Sequence, residues 1–165
     1  MIEATIRHIQ PSDDPILANI IRKTMEEFGV NRPGTVYYEE STDHLSNIFT
    51  TTRSVYYVAI ADRTLVGGAG IYPTEGLPID TCELVKMYLS PQARGIGIGK
   101  TLMQHCLKAA VDNDFSKIYL ETLPELTQAI LMYKKFGFEN LSAPIGNSKH
   151  YGCGNWMIKN LHFNT

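Results

Sequence analysis

The segment Ala93–Thr101, ARGIGIGKT, has the residue types that hold a phosphate. Three glycines alternate at Gly95, Gly97 and Gly99, with Arg94 ahead of them and Lys100-Thr101 behind. Glycine lets the backbone come close to a bulky group. The run that follows, GKTLMQHCLKAAVDN, puts Leu102, Met103, Cys106, Leu107 and Ala110 at helical spacing. The run before it, CELVKMYLS, reads as a central strand with apolar residues on both faces, ended by Pro91. A glycine turn between a strand and a helix aims free N–H groups and the positive end of the helix dipole at one spot. Such a spot suits an anion.

Two nucleotide loops come close and fail on spacing. A triphosphate loop, G-x-x-x-x-G-K-[ST], is met at its end by Gly99-Lys100-Thr101, but its first glycine falls on Arg94. A dinucleotide fingerprint, G-x-G-x-x-G, puts its last glycine on Lys100 or Leu102, depending on the starting glycine. That fold also wants parallel units on both sides, and the chain supplies a hairpin before the loop. What stays intact is R-x-x-G-x-G, from Arg94 to Gly99. Taken alone, the pattern also fits a glycine-rich turn without a ligand.

A second stretch decides between them. QAILMYKKFGF carries Ala129, Met132, Tyr133, Lys135, Gly137 and Phe138 in the pattern A-x-x-L-Y-x-K-x-G-F, with Met132 in place of Leu. Together with ELVKMYLSPQARGIGIGKTLM it resembles the two signatures of the GCN5-related N-acetyltransferase (GNAT) superfamily. The resemblance extends over nearly the whole chain. It implies an acetyl-CoA-dependent acyltransferase that moves an acetyl group to a primary amine by direct attack.

The resemblance also assigns roles. Tyr133 matches the family tyrosine near the coenzyme sulfur, a general acid for the departing thiolate. Glu83 lies where some members carry a glutamate general base, and partial burial would raise its pKa. The Met87 amide would polarise the thioester carbonyl at a strand bulge, with Tyr88 and Leu89 alongside the pantetheine arm. The loop of Arg94, Gly95, Ile96, Gly97, Ile98, Gly99, Lys100 and Thr101 would hold the pyrophosphate, mostly through backbone N–H groups. Many members have an asparagine three residues before Ala129. Here that position is Leu126, and Thr122 is the substitute contact. For the acceptor, the loops NRPGTVYYEE and GNSKHYGC offer Arg32, Tyr37, Tyr38 and His150, which suit a small polar amine or an amino acid.

The elements that must position these residues follow from periodicity. IEATIRHI alternates as a strand, and SDDPILANIIRKTMEEF carries a helical stripe of Ile16, Leu17, Ile20, Ile21, Met25 and Phe28. DHLSNIFT reads as a short helix. SVYYVAIADRTLVGGAGIYP reads as a hairpin turning at Asp62-Arg63. SKIYLET is a strand, PELTQAILMYKKFGF a helix, and FENLSA and GNWMIKNLHF the last strands. The order predicts an α/β fold. Its GNAT form is a central mixed, twisted sheet of six or seven strands flanked by four helices.

Bulk properties narrow the rest. With 165 residues the chain suits one domain over 1–165. Its formal net charge of −2 gives no basic surface for nucleic acid or an anionic membrane. Cys82, Cys106 and Cys153 are far apart, which argues against a disulfide framework or a structural metal site. No signal-like or spanning apolar run is present, so a cytoplasmic protein is expected. Many GNAT members dimerise, so a homodimer is compatible with the reading. Three alternatives stay open at this stage: a non-catalytic acyl-CoA sensor, a transferase of another acyl group, and a nucleotide-binding protein.

Overall fold

The computed structural model describes residues 3–161. Seven strands and four α-helices occur among them. In chain order they are β1 (Ala4–His8), α1 (Asp14–Glu27), α2 (Leu45–Ile48), β2 (Val55–Ala61), β3 (Thr64–Tyr72) and β4 (Thr81–Leu89). Then come α3 (Ile98–Asp112), β5 (Lys117–Thr122), α4 (Thr127–Lys135), β6 (Glu139–Leu141) and β7 (Asn155–Asn160). The strands form one sheet in the order β1-β2-β3-β4-β5-β7-β6. Only the β4–β5 pair is parallel; the others are antiparallel. The mixed α/β architecture expected from the sequence is therefore present. No helix among the described residues is long and apolar enough to cross a membrane.

Two apolar layers sandwich the sheet. Leu102, Met103 and Cys106 of α3 and Tyr133 of α4 join one core cluster. Leu17, Ile21 and Met25 of α1 and Leu45 of α2 join the other. Alternation along the strands divides side chains between them: Val58 faces the α1 layer and Ala59 the α3 layer. The β2–β3 turn at Asp62-Arg63 has φ of 48° and 65°, the doubly left-handed form that matches hairpin twist.

Several boundaries differ from expectation. The Ile16 and Phe28 positions of the α1 stripe are exposed, because they sit at its margins rather than over the core. Helix α4 starts at Thr127, three residues after Pro124, since Leu126 at its N-cap is not helical. The expected last strand runs past the observed one, and its His162 and Phe163 lie outside the described residues.

Strand β4 carries the two irregularities that matter. Its register against β3 shifts: Val85 pairs with Gly70, but Tyr88 pairs with Gly68. Lys86 and Met87 therefore oppose a single residue, a bulge, and Lys86 has a φ of 50°. The extra residue inverts the alternation. Cys82 and Leu84 belong to the α3 layer before the bulge, and Met87 and Leu89 pack against that same layer after it. On the other side, β4 pairs with β5 only from Thr81 to Glu83. Beyond Glu83 the two strands part, and the β5-facing edge of β4 has no strand partner among the described residues.

Candidate active site

A cavity of about 780 Å³ fills the wedge between β4 and β5. Alternation fixes which side chains reach it from which face. Ile118 and Leu120 of β5 lie in the α3 layer, so Glu121, like Glu83 on β4, points to the α1 face. Tyr133 belongs to the α3 layer. All three line the cavity, which therefore opens to both faces of the sheet through the wedge.

One end is built from the glycine turn. Gly97 is the N-cap of α3 with φ of 92°, and Gly95 has φ of 75°. A Cβ at either would meet nothing within 4 Å, so backbone conformation alone demands glycine there. Gly97 has no side chain to cap the helix, which leaves the first α3 amides unbonded by a cap. Gly95, Gly97, Gly99 and Lys100 line this end. Unsatisfied amides, a dipole end and a lysine fit a pyrophosphate, and the unpaired β4 edge with Met87 and Leu89 fits an amide-bearing arm. The residues present thus fit coenzyme A.

Three loop residues play other parts. Ile98 is buried in the core, Ile96 points to solvent, and Thr101 Oγ1 donates to the Gly97 carbonyl at 3.1 Å. None of the three side chains lines the cavity. The Arg94 guanidinium is committed to α1: its terminal nitrogens donate to both Glu27 carboxylate oxygens at 2.8 and 2.9 Å. Its Nε donates to the Leu89 carbonyl at 3.0 Å. Arg94 thereby fastens the end of β4 and the loop entry to the end of α1.

The other end is ionisable. Glu83 is 3% exposed and accepts a 2.5 Å hydrogen bond from the Thr74 hydroxyl. Burial pushes its pKa up to about 7; the Glu121 charge adds to this, while Thr74, His150 and Lys86 oppose it. Glu121 accepts from the Tyr119 hydroxyl at 3.1 Å and from the Ser148 hydroxyl. Donor atoms of Glu83, Glu121 and His150 lie within 4.8 Å of one another. Each already has a protein partner, which accounts for the grouping without a metal ion. His150 Nε2 bonds Glu39, whose other oxygen accepts from the Lys86 ammonium at 2.8 Å. Burial works against an ionised Glu39, but the His150 bond and the Lys86 charge outweigh it and hold its pKa at about 2. Tyr133 is 6% exposed and packs edge-on to Phe138, and burial drives its hydroxyl pKa well above the ordinary phenol value. It stays a proton donor at neutral pH.

Residues 17–138 match the acetyltransferase (GNAT) family. The chain belongs to that family. The uncharacterized N-acetyltransferase YjgM of Escherichia coli (strain K12) is similar to it, with 32% identity over 157 residues and 94% of each chain covered. Two solved structures share the fold. A GNAT-family acetyltransferase of Staphylococcus aureus Mu50 gives a TM-score of 0.85 at 19% identity, covering 97% of this chain and 100% of that one. An acetyltransferase of Salmonella typhimurium, YncA, solved with acetyl-CoA, gives 0.76 at 15% identity, covering 99% and 96%.

For this GNAT acetyltransferase, the expected acceptor residues divide. His150 lines the cavity, as do Thr122 and Leu126 nearer the middle. Arg32, Tyr37 and Tyr38 do not line it. Arg32 pairs with Glu125 at 2.8 Å on the surface, the Tyr37 hydroxyl donates to Glu26, and Tyr38 is 63% exposed. Their segment turns outward and sends Thr35 and Val36 to the cavity instead. Sequence reasoning missed Lys86, Thr74 and Ser148. Lys86 had a readable sign, the one basic residue inside the run CELVKMYLS. The other two had none, because each is an ordinary loop hydroxyl until the fold sets it against a carboxylate.

Proposed function

We propose that this acyltransferase moves the acetyl group of acetyl-CoA to the primary amine of a small molecule by direct attack. The observation that supports it best is the pairing of Glu83 and Tyr133 along one cavity from opposite faces of the sheet. Acetyl-CoA supplies the thioester. The α3 N-terminus and Lys100 hold its phosphates, and the free edge of β4 at Met87, Tyr88 and Leu89 holds its arm.

Each reactive residue has one task. Glu83, with a pKa near neutrality, takes the proton of the incoming amine. Tyr133 gives its proton to the departing thiolate and is restored by solvent exchange after release. Thr74 orients the Glu83 carboxyl. Thr122 and Leu126 pack beside the arm. His150 borders the acceptor end.

Thiol release from acetyl-CoA, followed across a panel of small amines, tests the reading. Tyr133→Phe should lower the turnover number by ~100-fold while leaving coenzyme binding by calorimetry nearly unchanged. An unchanged turnover number would remove the acid role. No saturable coenzyme binding at millimolar concentration would remove the function itself.

A further inference from the structure

The acidic residues that line the cavity lie together at one end. Lys100 and Lys135 border the phosphate end, and Glu83 and Glu121 border the acceptor end. Lys86 and His150 also reach the acceptor end. Both are already satisfied by the Glu39 carboxylate, Lys86 at 2.8 Å and His150 through its Nε2. A ligand carboxylate entering there would find the Lys86 ammonium already partnered. It would face Glu83 and Glu121.

Glu121 is fixed in that position. The Tyr119 and Ser148 hydroxyls hold its two oxygens, so it cannot swing away from an incoming anion. An amine arrives mainly as an ammonium ion, which this end attracts. In an α-amino acid the carboxylate lies only two bonds from the nitrogen and has to enter the same space. Like charges brought together in a desolvated site are strongly disfavoured.

We propose that Glu121 makes the acceptor end selective for amines that carry no carboxylate beside the reacting nitrogen. This selectivity rests on the acceptor reading above and narrows it: amino acids are excluded, and aliphatic or aryl-alkyl amines are taken.

Matched pairs test it: 3-methylbutylamine against leucine, tyramine against tyrosine, histamine against histidine. The wild-type protein should show kcat/KM at least ~100-fold higher for each amine than for its parent amino acid. Glu121→Gln preserves side-chain length and one acceptor oxygen. It should shrink that gap to roughly 10-fold or less, chiefly through a lower KM for the amino acids. Equal or reversed preference in the wild type overturns the proposal, as does an unchanged gap in the variant.

Binding gives a reading independent of turnover. Trp156, the one tryptophan of the chain, pairs with Glu121 across β5 and β7. Its fluorescence in the coenzyme A complex should titrate with each amine at lower concentration than with the parent acid. Binding of neither, or tighter binding of the acids, overturns the proposal. Amine-selective binding without thiol release would instead sink the catalytic reading and leave the selectivity standing.

Discussion

The buried hydroxyl of Tyr56 donates a 2.7 Å hydrogen bond to the carbonyl of Lys86. Lys86 is the left-handed residue of the β4 bulge, so this bond pins the strand where its alternation inverts. Tyr56→Phe keeps the ring and removes the donor. A buried carbonyl left unpaired costs ~1–3 kcal/mol, which chemical denaturation will read as lower stability. Turnover should fall more than the KM for acetyl-CoA rises, because Met87 and Leu89 would lose their fixed aim. Unaltered kinetics at reduced stability would limit Tyr56 to a packing role.

Glu83 sets two pH dependences. Its folded pKa of about 7 lies above the ordinary carboxyl value, so the folded chain holds this proton more tightly than the unfolded chain does. Its contribution to stability is full below pH ~4.5, falls as pH rises to about 7, and is then constant; the loss is ~3 kcal/mol. Glu83→Gln should flatten thermal stability across that window. In the wild type, kcat/KM should rise with pH through about 7 as the carboxylate forms. The variant should lack that limb, and a superimposable profile would rule Glu83 out as base.

Gly97→Ala separates conformation from space. The position is left-handed, and the added methyl meets no atom within 4 Å. Any loss therefore arises from backbone strain, ~1–2 kcal/mol. Calorimetric titration should show weaker coenzyme A binding, because relaxing φ would turn the first α3 amides away from the cavity. Intact affinity would show that those amides do not hold phosphate.

Arg94 and Glu27 should act as a unit. Arg94→Gln and Glu27→Gln should each weaken coenzyme A binding by similar factors, and the double variant should be little worse than either. If Arg94 held phosphate directly, Glu27→Gln would leave affinity unchanged or raise it.

The element order was legible because local chemistry agrees with the fold at most positions. The α3 spacing of Leu102, Met103 and Cys106 and the Asp62-Arg63 turn needed no tertiary information. Tyr133 and Glu83 were legible through signatures spread along the chain. Three features were not. The bulge was expected through the family resemblance, but its anchor at Lys86, the Tyr56 hydroxyl thirty residues away, could not be read. The partner of Arg94 is sixty-seven residues distant, so its tether to α1 does not read from sequence. Arg32, Tyr37 and Tyr38 share a loop with the cavity-lining Thr35 and Val36, and residue type could not say which way each faces.

The short pairing of β4 with β5 also bears on how the molecule holds together. Only three residue pairs join the β1–β4 block to the β5–β7 block within the sheet. Along the rest of that seam, the backbone groups of β4 have no neighbouring strand to bond. An arm lying in the wedge would supply that missing edge, acting as an extra strand as well as a reactant. Occupancy should then slow amide exchange along Val85–Leu89 and raise the melting temperature with ligand concentration. The free and liganded protein would differ in mechanical continuity more than in shape.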